Sequence, residues 1–301
     1  MLKIASLIKF IYLNGLKQTM PDITRFAPSP TGELHLGHAY SALCAFKIAE
    51  ESEGEFLLRI EDIDKKRCRE EYVKAIQDDL LWLGLKWSRR VRRQSHHLNE
   101  YKKAINQLNE LGLIYPCFCT RSDIKREIDK VASAPHGVFE NIYPGTCKRM
   151  SKDEQEERVG LGETPAMRID IEKAHQLTGD IYWYDRKLGK RLANPTAHGD
   201  VVLARKDINT SYHLSVTLDD DAQGVNLVTR GKDLILATDI HRTLQELLGL
   251  NVPEYLHHSL IIGPSGHRLS KRNRPKNIRN YKESGLTPKN IFEMLKKMNS
   301  Q

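Results

Sequence analysis

The amino-acid sequence predicts an α/β protein built on a parallel sheet. Strand-like and helix-like stretches alternate from Ile23 onward, and a turn bearing glycine and histidine joins the first strand to the first helix. The same alternation returns near the C-terminus after an irregular middle.

"ITRFA", Ile23 to Ala27, reads as a short buried strand. From Gly37 to Glu51 the apolar residues Ala39, Leu43, Phe46 and Ala49 recur at helical spacing. "EFLLRIED", from Glu55, is a second strand. Glu70 to Leu83 is again helical, with Tyr72, Val73, Ile76, Leu80 and Leu83 on one stripe. A third helix runs from His97 to Leu111 and is closed by Gly112. Tyr115 to Cys147 is irregular and holds three cysteines and three prolines. Ala166 to Tyr184 predicts short β segments. "NLVTRG", Asn226 to Gly231, is a strand and Asp233 to Leu248 a helix, and Ser259 to Ile262 reads as one more strand. The simplest architecture is one nucleotide-binding domain with an insertion in its middle, then a basic helical tail.

The chain has 301 residues, of which 40% are hydrophobic and 29% charged, the composition of a soluble globular protein with a sizeable core. Its net charge of +8 fits a polyanionic partner. The whole excess lies between Ile262 and Gln301, which holds ten Lys or Arg and two Glu. Arg89, Arg90, Arg92 and Arg93 form a second basic cluster, readable as a polyanion contact or as solvated surface. The five cysteines are odd in number and uneven in spacing, which argues against a secreted disulfide framework. The apolar N-terminus is interrupted by Lys9 and Asn14, lacks a clear small-residue cleavage site, and is too short an apolar run to span a membrane. Residues 1–20 therefore read as a disordered extension, with Met20 a possible alternative start, on a cytoplasmic protein.

In "APSPTGELHLGHAYSALCAF", His35 and His38 lie three apart where the first helix begins. The first N–H groups of a helix are unpaired and its dipole is positive there, so this turn suits a phosphate. Glycine lets a ligand approach the backbone. At i and i+3 the two imidazoles share one face. Taken alone, "HLGH" reads as a helix start with satisfied surface histidines.

The wider sequence resembles one family. "HLGH" is similar to the His-Ile-Gly-His signature of class I aminoacyl-tRNA synthetases, and "RFAPSPTGELHLGH" resembles the opening of glutamyl-tRNA synthetases. "LLRIEDIDKKR" and "LVTRGKDLILATDIHRTLQELLGL" resemble two later blocks. "HRLSKR", His267 to Arg272, stands where the family has Lys-Met-Ser-Lys-Ser. The four blocks cover Asp22 to Lys276. The resemblance implies a doubly wound parallel sheet, a Rossmann-type catalytic domain over 21–112 and 185–262. It further implies a zinc-binding insertion over 113–184, and a signature loop with a short basic helical tail over 263–301. The implied chemistry is attack of the glutamate carboxylate on the α-phosphate of ATP, then transfer of the acyl group to an RNA hydroxyl. This first step needs positioning and charge stabilisation rather than a base.

By the same resemblance, His35, Gly37 and His38 hold ATP with its Mg²⁺, and Lys271 meets the charge growing on pyrophosphate. Arg268 preserves the charge of the first signature lysine. Arg25 and Arg230 take carboxylates, Glu61 takes the ammonium, Tyr212 forms a hydrogen-bonding wall, and Ser29 belongs to the first block. Asp62 and Asp64 are alternatives to Glu61. Cys117, Cys119, Tyr143 and Cys147 are the implied ligands of one structural zinc, with His136 an alternative fourth donor and metal-free thiols the plain alternative. Cys44 and Cys68 read as buried small residues.

The chain ends about 30 residues after Lys271, which predicts no anticodon-binding domain. Such a chain resembles the short branch of the family that transfers glutamate to queuosine at the wobble position of tRNA(Asp). A monomer that receives the anticodon loop in its active site, guided by the basic tail, is the matching expectation. Two alternatives stand: a truncated glutamyl-tRNA synthetase charging 3′ ends, and a non-catalytic zinc- and RNA-binding module.

Overall fold

Alternate residues of one buried strand explain the layering. The computed structural model describes residues 20–125, 142–261 and 276–299. In chain order its elements begin β1 (Ile23–Phe26), α1 (Leu36–Glu51), β2 (Glu55–Ile60), α2 (Glu70–Trp82), β3 (Arg92–Arg93) and α3 (Leu98–Glu110). The middle holds β4 (Ile114–Cys117), α4 (Lys152–Gly160), β5 (Ala166–Ile169), α5 (Ile171–Thr178), β6 (Tyr182–Asp185), β7 (Gly189–Leu192) and β8 (Val202–Ala204). The chain continues through α6 (Tyr212–Ala222), β9 (Leu227–Gly231), α7 (Ala237–Leu248), β10 (Glu254–His258), α8 (Ile278–Glu283) and α9 (Pro288–Asn299).

On β2, Phe56, Leu58 and Ile60 pack with Phe26 against α1 and α2. Leu57, pointing the other way, packs with Val228, Trp183 and Tyr255. Parallel pairing sets Arg25 opposite Leu57, so Arg25 and Arg59 share that second face and meet Asp220 of α6 there. Helices thus cover both faces, as a doubly wound sheet requires. The buried stripe of α1 is Ala39, Ala42, Ala45 and Ala49, small side chains that bring the helix close to the sheet. Leu43 and Phe46, expected on that stripe, are half-buried.

Two sheets of strand order β1-β2-β3 and β7-β6-β10-β9 meet at β1 and β9, where the Asn226 N–H donates to the Ile23 carbonyl at 3.2 Å. All these pairs are parallel except the β6–β7 hairpin. The connections from β1 and from β9 run outward in opposite directions, so the seam is a topological switch point, where open α/β sheets bind ligands. A separate antiparallel sheet of order β4-β5-β8 carries the cysteine-bearing segment. Sheet membership crosses the boundary expected after residue 184, since β6 belongs with the parallel strands and β8 with β5.

Two sequence expectations need correction. The stretch from Ala166 to Tyr184 is not all β: Asp170 accepts the Lys173 N–H and starts the eight-residue α5. Two turns are too short for helical periodicity to stand out. The last strand among the described residues is Glu254–His258, and Ser259 to Ile261, expected as strand together with Ile262, form none; Ile262 lies outside the described residues. The apolar "SLII" run owes its character to the cavity mouth, lined by Leu260 and Ile261, and to Ile261 joining the core against α1. The tail packs into that core through Ile278, Ile291 and Leu295. No helix among the described residues is long and apolar enough to cross a membrane.

Candidate active site

A cavity of about 530 Å³ opens beside the seam between β1 and β9. Arg25, Ser29, His35, Gly37, His38, Glu61, Tyr212 and Arg230 all line it. Lys271, Arg268 and His136 lie outside the described residues, as do residues 1–19. The described residue before the signature stretch, Ile261, lines the cavity, and Asn277 beyond it bridges to His35.

The start of α1 explains the His-Leu-Gly-His spacing. His35 is the N-cap, and its Nδ1 accepts the Gly37 N–H at 3.1 Å. The His38 Nδ1 accepts the His35 backbone N–H at 3.2 Å. The rings stack with centroids 3.8 Å apart. With both Nδ1 atoms accepting, the neutral rings carry their protons on Nε2. A Cβ on Gly37 would sit 2.9 Å from the His35 ring, so only glycine lets that ring fold over the helix end.

On the β1–β2 side, charges are paired. Arg25 donates to both Asp220 oxygens, at 2.9 and 3.4 Å, and to the Thr229 carbonyl at 3.1 Å. Arg59, fully buried, donates to Asp220 at 2.7 Å and to Glu61 at 3.4 Å. Burial works to raise the Asp220 carboxyl, but Arg25 and Arg59 outweigh it and hold the group below the usual carboxylate range. Burial prevails at Glu61, pushed up to about 7 against the pull of Arg59 and Arg25.

On the β9–β10 side, Arg230 has no carboxylate within ion-pair distance among the described residues. It donates to His257 Nε2 at 3.2 Å, to His241 Nδ1 at 3.1 Å and to Thr238 Oγ1 at 2.6 Å. Burial and then Arg230 push His257 down to about 4 against the upward pull of Asp185, and drive His241 well below its usual value. Both imidazoles are neutral acceptors at physiological pH.

Away from the cavity, the sulfurs of Cys117, Cys119 and Cys147 lie within 4.8 Å of one another and can hold a metal ion. The Tyr143 hydroxyl is 3.4 Å from Cys117 Sγ and 3.7 Å from Cys119 Sγ.

Other candidates have structural partners. Asp62 accepts from Arg93, the Ser95 N–H and the Ser95 hydroxyl, and Asp64 pairs with Arg67 and Arg205. In the arginine cluster, Arg89 pairs with Glu55, Arg92 with Asp219 and Glu100, and Arg93 with Asp62 and Glu70. Cys44 and Cys68 are half-buried. Sequence reasoning missed Arg59, Asp219, Asp220, His241, His257 and Asp185. One signal was available: Arg59 interrupts the apolar run "EFLLRI", and a lone cation on a buried strand demands buried acids.

A switch-point cavity with an imidazole-capped helix start and buried arginines defines a nucleotide- and carboxylate-binding catalytic domain. Residues 23–301 match the family of class I tRNA synthetases (E and Q), catalytic domain, and the chain belongs to that family. It is a ligase of the aminoacyl-tRNA synthetase class. The glutamyl-Q tRNA(Asp) synthetase of Rhodobacter capsulatus is 45% identical over 286 residues, which cover 91% of this chain and 99% of that one. A glutamate–tRNA ligase of Hydrogenobaculum is 35% identical over 90% of this chain and 57% of its own length. Among solved structures, a glutamate tRNA ligase from Elizabethkingia meningosepticum in complex with its amino acid is 28% identical with a TM-score of 0.71. That match covers 84% of this chain and 52% of the ligase, so the chain spans about half that protein's length.

Proposed function

We propose that this protein activates L-glutamate with ATP and transfers it to the queuosine of tRNA(Asp), forming glutamyl-queuosine. The observation that carries the reading is the charge layout of the cavity. Arg230, paired with no carboxylate among the described residues, faces the same space as Glu61, and the helix start capped by His35 lies beside them. A glutamate needs a cation for its side-chain carboxylate and an anion for its ammonium. Arg230 takes the carboxylate, Glu61 the ammonium, and Tyr212, Ser29 and Arg25 complete the walls. The remaining substrate carboxylate is already a nucleophile, so the protein's work is to hold it in line with the α-phosphate. The His35 and His38 Nε2–H groups and the Gly37 turn receive the phosphates. Magnesium enters with ATP, and Lys271, on the signature resemblance, meets the departing pyrophosphate.

Zinc fits the cysteine segment. Tetrahedral zinc with Zn–S of about 2.3 Å and Zn–O of about 2.0 Å separates its ligands by roughly 3.5–3.8 Å. Tyr143 Oη to Cys117 Sγ, at 3.4 Å, and to Cys119 Sγ, at 3.7 Å, agree with that spacing. The Arg168 guanidinium lies 3.8 Å over the Tyr143 ring and holds it in place, while burial and the Cys117 thiol keep the hydroxyl protonated in the absence of metal. The ion would fix the segment's shape and take no part in the reaction.

The queuosine acceptor rests on the relative matched over 99% of its length. The test is transfer of labelled glutamate to queuosine-bearing tRNA(Asp) and to tRNA(Glu), with periodate cleavage of the queuosine diol as control. Label on tRNA(Asp) that periodate abolishes is expected. Label on the 3′ end of tRNA(Glu) would instead make the protein a translation synthetase, and no adenylate at all would leave a binding module.

A further inference from the structure

Arg230 on β9 stands opposite His257 on β10 in the parallel register, so the two side chains emerge together on one face of the sheet. The His257 Nδ1–H donates to Asp185 Oδ2 at 2.7 Å, and the same oxygen accepts the His257 backbone N–H at 3.1 Å. The other carboxylate oxygen accepts the N–H groups of Lys187 and Leu188, at 2.8 and 2.9 Å. Asp185 is fully buried and can only accept. It therefore fixes the proton of His257 on Nδ1 and leaves Nε2 to accept from Arg230 Nε. His241 and Thr238 occupy one N–H on each terminal nitrogen of Arg230. Of five N–H bonds, two remain, one on each terminal nitrogen: a fork for a carboxylate.

We propose that Asp185 and His257 are positioning residues that make this cavity select a side-chain carboxylate over a side-chain amide. The proposal rests on the reading of the cavity as a glutamate site. The mechanism has two parts. Neutral partners position Arg230 without cancelling its charge, so an incoming carboxylate gains a full ion pair. The same arrangement presents the two remaining N–H groups of Arg230 to an incoming amide. The Nε2 of His257 and the Nδ1 of His241 are already occupied by Arg230, so the NH₂ group of glutamine meets an N–H where glutamate places an oxygen, and a mispaired buried donor is costly. An acid in place of His257 would neutralise Arg230 and remove the first effect. Loss of Asp185 would let the ring place a proton on Nε2, donor against donor, and push the guanidinium off its seat.

The test uses the full chain in glutamate- and glutamine-dependent ATP–pyrophosphate exchange, comparing wild type with His257→Leu, Asp185→Asn and His257→Gln. Asparagine at 185 must direct its NH₂ either at the backbone N–H groups of Lys187 and Leu188 or at the backbone N–H and ring of His257. The second leaves one backbone N–H unmet instead of two, because the ring can change tautomer to accept, and that tautomer is the wrong one for Arg230. His257→Leu and Asp185→Asn are expected to raise the KM for glutamate by about 10- to 100-fold, the loss of one charge-assisted hydrogen bond. The preference for glutamate over glutamine falls in parallel, while the KM for ATP stays within about twofold. His257→Gln, whose amide oxygen stands in for Nε2, should recover most of both. KM and the preference ratio do not depend on the fraction of folded enzyme, so partial misfolding cannot imitate the result. Unchanged KM and preference in His257→Leu and Asp185→Asn, with losses in kcat alone, would overturn the proposal, as would a His257→Gln variant no better than His257→Leu. Wild-type protein without glutamate-dependent exchange would instead overturn the underlying reading of the cavity.

Discussion

Arg25 and Arg230 lie on neighbouring strands, line one cavity, and are 5% and 6% exposed, yet they are not equivalent. Arg25 is held by the carboxylate of Asp220, which also holds Arg59. Arg230 is held by two neutral imidazoles and a hydroxyl. The first arginine belongs to a closed network of charges that shapes a wall. The second, on the function proposed above, keeps its charge for a substrate. Residue type alone does not assign a binding role to a buried arginine; the charge of its partners does.

That contrast can be broken or sharpened. The largest effect is expected from Arg230→Ala, which removes a buried cavity arginine that has no carboxylate partner among the described residues. Glutamate-dependent pyrophosphate exchange should lose about 10²- to 10⁴-fold in kcat/KM, the cost of truncating a buried charge pair, with ATP affinity unchanged. Arg59→Met tests the closed network. It leaves Asp220 and Asp219 short of a partner, and chemical denaturation should report a loss of about 3–5 kcal/mol. In Arg230→Ala the same measurement should move far less.

Next comes the acid facing both arginines. Glu61 is raised by burial to about 7, and only its ionised form attracts an ammonium. As the pH falls below about 7, glutamate binding must first remove a proton from Glu61. The KM for glutamate should then rise by up to about tenfold per pH unit, a dependence that Glu61→Gln abolishes. A flat KM between pH 5.5 and 8 would remove Glu61 from the ammonium site. A smaller effect belongs to the other end of the cavity. Gly37→Ala must displace the His35 ring, and the KM for ATP should rise about tenfold or less while that for glutamate stays put. The smallest effect on the cavity is expected from Cys119→Ser. Elemental analysis should show loss of the zinc proposed for this segment, while the KM for glutamate changes little, because the thiols lie on a different sheet.

The sequence was legible where chemistry is local. His35, Gly37 and His38 act within one turn of helix, so their spacing marked the helix start, and the family resemblance of the surrounding blocks suggested the phosphate role. Cys117, Cys119 and Cys147 could be grouped by type, although the approach of Tyr143 to them depends on the fold of the segment between. The paired β1, α1, β2, α2 units were readable from periodicity because each is long or strongly patterned. The short α5 was not, and β10 was hidden because "EYLHH" carries its polar residues inward, to Asp185 and Arg230.

By itself the sequence determined the α/β class and the first turn of α1, and its motifs, through the family they resemble, supplied the cysteine set and the arginines and acids proposed for a glutamate. All of these are local features of the chain, which do not depend on where distant segments meet. Only the tertiary structure decided which arginine is neutralised. Asp220 lies 195 positions from Arg25, and Asp185 lies 72 positions from His257. Their meeting is set by strand register and by the packing of α6 against the sheet, and no pattern along the chain encodes the electrostatic balance that results.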